Sequence, residues 1–287
     1  MAKTPIKKTP KIPTFDQRNK LNDLTGKDWL KLTKSFWESE RCSDDKDAFD
    51  HPAPFLIKDI EKLISFFTKK KMKVLDPFVG SGTTILASCN LKRFPIGIDL
   101  NSTYKKLCIK RTKNKEYVEK KDFLYLLGDS KLTIKKIDSI DYIVTSPPYH
   151  NILRNNGAGI RKEADKEYRK GSRTGIEFYS DKKNDLGNMD TYDEFLIAFK
   201  DIMSEAYKKL KNKKYCSIVI SDFTVNKKEV CVQADIVNAM TEIGFEFVGT
   251  VILLQNSKPL YPFGYPYAYK INHHHQNIIN FRKNIDD

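Results

Sequence analysis

The chain is short of everything that would tie it to an oxidising compartment, a metal or a bilayer. Its five cysteines, Cys42, Cys89, Cys108, Cys216 and Cys231, fall without paired spacing, which supports neither a disulfide framework nor a zinc site. No uninterrupted apolar run approaches the roughly 20 residues that span a membrane, and no signal-peptide pattern opens the sequence. No metal and no membrane partner is expected, and a reducing cytoplasm is the expected location. Acidic residues are outnumbered as well: 51 Lys and Arg stand against 37 Asp and Glu, a formal charge of +14. Solvated lysine-rich faces would give the same total, but an excess of this size in a soluble chain points to a polyanionic partner, because each cation on a phosphate releases counterions.

The distribution of that charge says more than its sum. Residues 1–34 carry nine Lys and Arg against three Asp, and residues 150–183 carry nine against five acids, so ten of the fourteen net charges sit in two segments without regular pattern. Residues 1–23 read as a basic flexible arm, since Lys, Pro and Thr with few large apolar residues cannot offset the entropy of ordering. Residues 24–287 read as one catalytic domain.

Within that domain the periodicity alternates between strand and helix. Phe55, Leu56, Ile60, Leu63, Ile64 and Phe67 recur at helical spacing, and Lys73-Val74-Leu75 is a short strand that runs into a glycine-rich turn. Helix 84–91, strand 94–98, helix 101–115 and strand 123–127 follow, then strand 141–145. This β-α-β order predicts a parallel sheet. After about forty residues rich in Gly, Asn, Arg and Lys, the spacing predicts helix 192–210, strand 215–220, helix 230–243 and strands 245–254 and 276–281.

Two nucleotide-binding signatures are missing from the glycine-rich turn, Asp76-Pro77-Phe78-Val79-Gly80-Ser81-Gly82-Thr83-Thr84. Ile85 takes the third glycine position of a dinucleotide fingerprint, and no lysine between Gly80 and Leu91 completes a P-loop. A nucleotide hydrolase is therefore disfavoured. Three polar clusters nevertheless fall at successive strand ends: this turn, Asp99 after strand 94–98, and Asp129 after strand 123–127. Strand ends are where an open α/β sheet places its ligands. A carboxylate at 99 could accept both hydroxyls of a ribose, and one at 129 an exocyclic amine.

Strand 141–145 ends in Ser146-Pro147-Pro148-Tyr149. Consecutive prolines fix φ and remove two N–H donors, so the Ser146 hydroxyl and the Pro147 carbonyl should be held rigidly. Acceptors on both N–H bonds of a base amino group would make its nitrogen a better nucleophile and stabilise the charge that develops in attack. Tyr149 offers a ring on which an extruded base could stack.

At these residues the chain resembles the S-adenosylmethionine-dependent DNA amino-methyltransferases, with the Ser-Pro-Pro-Tyr form of the catalytic tetrapeptide found mostly in N4-cytosine enzymes. The resemblance runs from about Leu24 to Lys283. It implies a Rossmann-like class I methyltransferase: an α/β fold with a mostly parallel seven-stranded sheet, helices on both faces and an antiparallel last strand. His51 and Pro54, with Asp76, Phe78, Gly80, Gly82, Thr83, Thr84, Asp99, Leu100, Asn101, Asp129 and Ser130, match the family's S-adenosylmethionine site. Ser146, Pro147, Pro148 and Tyr149 match its catalytic group.

The implied activity is methylation of N4 of a flipped cytosine in duplex DNA. N6-adenine methylation is the alternative, and an RNA methyltransferase or a catalytically silent DNA-binding protein are more distant ones. A restriction endonuclease in the same prokaryotic system is an implied functional partner. The large C-terminal recognition domain frequent in this motif order is not expected here. Sequence recognition is therefore expected from residues 150–190, with Arg154, Arg161, Lys162, Arg169, Lys170 and Arg173 as DNA contacts, and from the aromatic segment 257–272. Residues 150–190 are expected to order only on DNA. His273-His274-His275 lacks accompanying carboxylates or cysteines at ligand spacing and reads as a solvated or phosphate-facing turn.

Overall fold

A computed structural model describes residues 15–51, 54–150, 153, 178–226 and 228–285. Ten strands and seven α-helices are described in chain order: α1 (Gly26–Leu32), β1 (Phe36–Glu38), α2 (Ile57–Phe67), β2 (Lys73–Asp76), α3 (Thr83–Asn90), β3 (Phe94–Asp99), α4 (Ser102–Lys113), β4 (Leu124–Leu127), α5 (Ser130–Thr133), β5 (Ile140–Thr145), α6 (Tyr192–Lys209), β6 (Leu210–Ile220), β7 (Phe223–Val225), β8 (Lys228–Val230), α7 (Val232–Ile243), β9 (Phe245–Leu254) and β10 (His275–Lys283). Eight strands form one sheet in the order β1-β9-β10-β6-β5-β2-β3-β4, and β7 and β8 pair as a separate hairpin.

The sheet is parallel apart from β10, which runs antiparallel to both β6 and β9. Strand order reverses between β2 and β5, so the carboxyl ends of those two strands open a crevice. The parallel sheet and its antiparallel strand agree with expectation. The eighth strand does not: β1 adds parallel to β9 at the edge, with Trp37 buried between two exposed neighbours. Three residues are too few for a period-2 signal.

Alternation along the central strands divides the core in two. Leu75, Ile143, Ile218 and Ile220 face Phe195, Phe199 and Met203 of α6 and Ile236 and Met240 of α7. Their neighbours Val74, Tyr142, Val144 and Val219 face Ile57, Ile60, Leu63, Ile64 and Phe67 of α2. Successive side chains of a strand point to opposite faces, so helices cover both sides. Helix α6 starts in a capping box, with the Thr191 hydroxyl on the Glu194 N–H and the Glu194 carboxylate on the Thr191 N–H. The polar chain from the Tyr142 hydroxyl to Ser217 Oγ and on to Asn280 Oδ1, both steps 2.7 Å, stitches β5, β6 and β10 together inside the core.

Expected elements recur with shifted ends. β6 begins directly at Leu210 instead of 215, with Lys213 at φ +61° in its first half. Of the segment 150–190, the described stretch 178–190 is packed in part: Tyr179, Ser180, Asp185, Leu186 and Gly187 are buried, whereas Phe178, residues 181–184 and Asp190 are exposed. The six basic candidates Arg154, Arg161, Lys162, Arg169, Lys170 and Arg173 lie outside the described residues, as does most of the basic arm. Among the described residues no helix is long and apolar enough to cross a membrane.

Candidate active site

The glycine-rich turn joins β2 to α3 and depends on two residues without side chains. Gly82 caps α3 at φ +83°, and a Cβ there would overlap the Cys108 sulfur from α4. Gly80 lies at φ +48°, where a Cβ would come within 2.9 Å of His51 Nε2. Both positions need the left-handed region and close approach together. Asp76 anchors the turn from below. Its carboxylate accepts the Phe78 N–H at 3.0 Å and the hydroxyls of Thr145 and Thr84 at 2.6 Å each. Burial pushes this carboxyl up to about 6 despite those three donors.

The second strand end carries Asp99. Its two oxygens accept the Gly80 N–H at 2.9 Å and the Asn101 N–H at 2.8 Å, which locks the strand end to the glycine turn. Burial raises its carboxyl to about 7, and the negative charges of Asp185 and Asp76 add to this against the lowering effect of the two N–H groups. Asp129 caps α5 through the Lys131 N–H at 2.8 Å, and its other oxygen accepts the Asn184 side-chain amide at 2.6 Å.

These strand ends surround one cleft of about 650 Å³, open to solvent. Of the residues expected from sequence, His51, Phe78, Asp99, Leu100, Asp129, Ser130 and all four of Ser146-Pro147-Pro148-Tyr149 line it. The others stand behind it or beside it. Asp76, Gly80, Gly82, Thr83 and Thr84 build the turn rather than the wall. Thr83 Oγ1 reaches the Phe55 carbonyl at 3.3 Å and accepts from the buried Arg111 at 3.1 Å. Asn101 caps α4 and donates to the Tyr179 carbonyl at 2.7 Å. Pro54 lines a smaller neighbouring cleft together with Gln255 and Gln276.

Sequence reasoning missed a second set of lining residues. Tyr104, in the first turn of α4, packs its ring 4.4 Å from His51, and Tyr179 lies 6.0 Å from the same ring. Tyr104 was legible in principle, being on the first turn after Asp99 with its side chain buried. Tyr179, Asn184, Asp185 and Leu186 belong to an aperiodic segment, and only the fold brings them over the cleft. That segment is held by its own bonds: Ser180 Oγ to Asp185 at 2.6 Å, and Asn188 Nδ2 to the carbonyls of Ser180 and Lys182 at 2.9 Å.

Tyr149 is more enclosed than a free platform would be. It is 9% exposed and stacks on Phe223 of the β7–β8 hairpin, with centroids 5.5 Å apart at 20°. Its hydroxyl accepts the Ser221 N–H and the Gln276 side-chain amide, both at 3.0 Å, and Ser146 also bonds to it. Burial pushes the phenol up. Gln276 has no signal in a linear reading, because its role exists only where β10 passes β6. The histidine run is spent on structure: His273 pairs with Glu229 at 2.7 Å, and the carbonyls of His274 and His275 accept the Gln255 N–H and the Ser221 hydroxyl.

The cofactor implied by the family resemblance, S-adenosylmethionine, fits these donors and surfaces. Asp129, on the cleft wall, accepts an amide N–H at 2.6 Å and could accept one from an exocyclic amine in the same way. Asp99 lines the cleft with two carboxylate oxygens, each holding one N–H, so each can accept one further donor such as a ribose hydroxyl. Phe78, Leu100, Leu186 and Ile202 give the apolar walls a purine needs.

A family model described as DNA methylase matches residues 2–110. The chain is 31% identical over 137 residues to the type II methyltransferase M.BglI of Bacillus subtilis, covering 46% of this chain and 37% of that protein. It is 36% identical over 106 residues to the type II methyltransferase M2.DpnII of Streptococcus pneumoniae, covering 37% of each. The matches thus span little more than a third of these relatives' length. Among solved structures, TrmN from Thermus thermophilus has a TM-score of 0.53 at 13% identity, over 85% of this chain and 54% of that one. Precorrin-6y C5,15-methyltransferase from Geobacter metallireducens GS-15 has 0.50 at 10% identity, over 83% and 97%. Identities this low show the fold alone, a Rossmann-like sheet. The matched residues 2–110 include the glycine turn and Asp99, and over them the chain is similar to the DNA methylases that this family model describes.

Proposed function

We propose that the protein transfers the methyl group of S-adenosylmethionine to the exocyclic N4 amino group of a cytosine extruded from duplex DNA. The observation that carries this reading is the convergence of Ser146-Pro147-Pro148-Tyr149 with His51, Asp99 and Asp129 on one cleft. When bound, S-adenosylmethionine supplies a methyl group made electrophilic by its sulfonium. Asp99 would hold the ribose hydroxyls, Asp129 the adenine amine, and His51 with Tyr104 the opposite end of the cleft. Ser146 Oγ and the Pro147 carbonyl would accept the two N–H bonds of the target amine, concentrating its lone pair on nitrogen. The Tyr149 ring, backed by Phe223, would give the base a face to rest on.

Cytosine rather than adenine rests on Ser146, the form of the tetrapeptide that accompanies N4 methylation in the family. Residues 24–287 would form the catalytic domain, residues 1–23 a basic arm on the phosphates, and segments 150–190 and 257–272 the DNA-facing loops. Pairing with a restriction endonuclease is supported by the type II relatives.

Incubation of the protein with labelled S-adenosylmethionine and genomic DNA, followed by nucleoside mass spectrometry, tests the reading. N4-methylcytosine is the expected product. N6-methyladenine would reassign the base, methylation of RNA alone would remove DNA, and a protein that binds DNA without modifying any base would end the enzymatic reading.

A further inference from the structure

Between β9 and β10 the chain leaves the sheet at Gln255, whose N–H meets the His274 carbonyl at 2.7 Å on the return. Asn272 closes the neck a second time, its side chain accepting the Tyr261 N–H at 3.0 Å and donating to the Tyr261 carbonyl at 2.8 Å. Beyond the neck the N–H groups of Tyr267 and Ala268 both meet the Gly264 carbonyl at 2.7 Å. Gly264 itself sits at φ +76°, with the Ala268 carbonyl where a Cβ would go. The loop therefore has a defined shape, yet it contributes little of its aromatic surface to any core. Tyr265, Tyr267 and Tyr269 are 72%, 93% and 91% exposed, and Leu260 and Phe263 are 75% and 52% exposed. Several large rings turned to water on one loop mark an interaction site.

Position and charge select the partner. Gln276, two residues past the loop, hydrogen-bonds the Tyr149 hydroxyl, so the loop springs from the rim of the candidate active site. No acidic residue occurs between Glu246 and Asp286, whereas Lys258 and Lys270 lie within the loop. Rings stack on bases, cations meet phosphates, and nothing in this stretch repels a polyanion.

We propose that this loop inserts its exposed tyrosine rings between base pairs of duplex DNA beside the extruded base. Extrusion leaves a gap in the stack, and an aromatic wedge at the same rim would fill it and hold the duplex open. This inference rests on the DNA methyltransferase reading, and it assigns the loop a stacking role instead of reading of base edges.

Two triple variants at positions 265, 267 and 269 test it, one with all three tyrosines changed to Ser and one with all three changed to Phe. All three side chains are exposed, so thermal unfolding should match wild type. The Ser variant should lose about tenfold or more in duplex affinity, the scale of one to two stacking contacts. It should keep the wild-type salt dependence, because no cation is removed. The Phe variant should bind as wild type does. Plasmid relaxed by topoisomerase in the presence of wild-type or Phe protein should show unwinding that is lost with the Ser variant.

Equal affinity and unwinding for the Ser variant would overturn the inference, as would loss of both in the Phe variant, which would mean that the hydroxyls read bases. A change in oligomeric state with unaltered DNA affinity would assign the loop to self-association. If wild type itself transfers no methyl to DNA, the functional reading fails separately from the wedge.

Discussion

The ribose-holding role proposed for Asp99 would make the binding of a ribose-bearing ligand depend on pH. Its carboxyl sits at about 7 in the protein alone, and hydrogen bonds from ribose hydroxyls favour only the ionised form. The binding-competent fraction therefore falls as pH drops, and the apparent Kd rises as one plus ten to the power (7 − pH). That is about twofold at pH 7, about tenfold at pH 6 and about a hundredfold at pH 5, relative to the alkaline limit. Calorimetry with 5′-methylthioadenosine isolates the effect, since this ligand keeps the ribose but lacks the amino acid end that titrates nearby. Binding at pH 6 should release close to one proton, read from the dependence of the heat on buffer ionisation enthalpy, and almost none at pH 8. Asp99→Asn should bind weakly and without this slope. A wild-type Kd unchanged within about twofold between pH 8 and 6 would refute the reasoning. A slope that survives in Asp99→Asn would place the titrating group elsewhere. The same shift has a stability consequence of definite sign: the folded protein keeps protons on Asp99 and Asp76 that the unfolded chain releases above about pH 4. These two groups therefore make the protein alone less stable as pH rises toward 7.

Gly82→Ala combines a left-handed backbone with an overlap on Cys108, so urea unfolding should show a loss of about 2–5 kcal/mol. Adding Cys108→Ala removes the overlap on the sulfur but leaves the Cβ of residue 108 at 2.8 Å, so it should recover only part of the loss and leave at least the roughly 1–2 kcal/mol of backbone strain; full recovery, or a loss below about 1 kcal/mol in the single variant, would contradict the geometry. Gln276→Leu removes one of two N–H donors from the Tyr149 hydroxyl and should lower kcat about tenfold with little change in KM for S-adenosylmethionine. Gln276→Glu should behave well at low pH, where the acid can donate, and fail as pH rises and the carboxylate instead accepts the phenol proton. A parallel loss of kcat at every pH would leave Gln276 a packing residue.

Much of this protein could be read along the chain because the governing interactions are local. Period-2 and helical spacing named β2, α2, β3, α4, β5 and α6 to within a few residues, and the motifs at strand ends followed from the rule that parallel sheets present ligands there. What strand alternation could not announce was too short or too distant. β1 is three residues, stabilised only by lying beside β9, and the β7–β8 hairpin exists to cover one face of Tyr149.

The amino-acid sequence by itself determined the order of elements, the glycine positions that only a side-chain-free residue can occupy, and the chemical identity of Asp99, Asp129 and Ser146. Tertiary structure decided which of the motif residues face the cleft and which hold it up. Asp76 and Thr84 carry the same motif as Phe78, yet burial under Thr145 makes them struts. Tyr179, Asn184 and Asp185 entered the site from an aperiodic segment, and Gln276 from a strand more than 120 residues beyond Tyr149. Pairings across such distances arise when the sheet closes, because hydrogen bonds and burial act through space and leave no period in the chain.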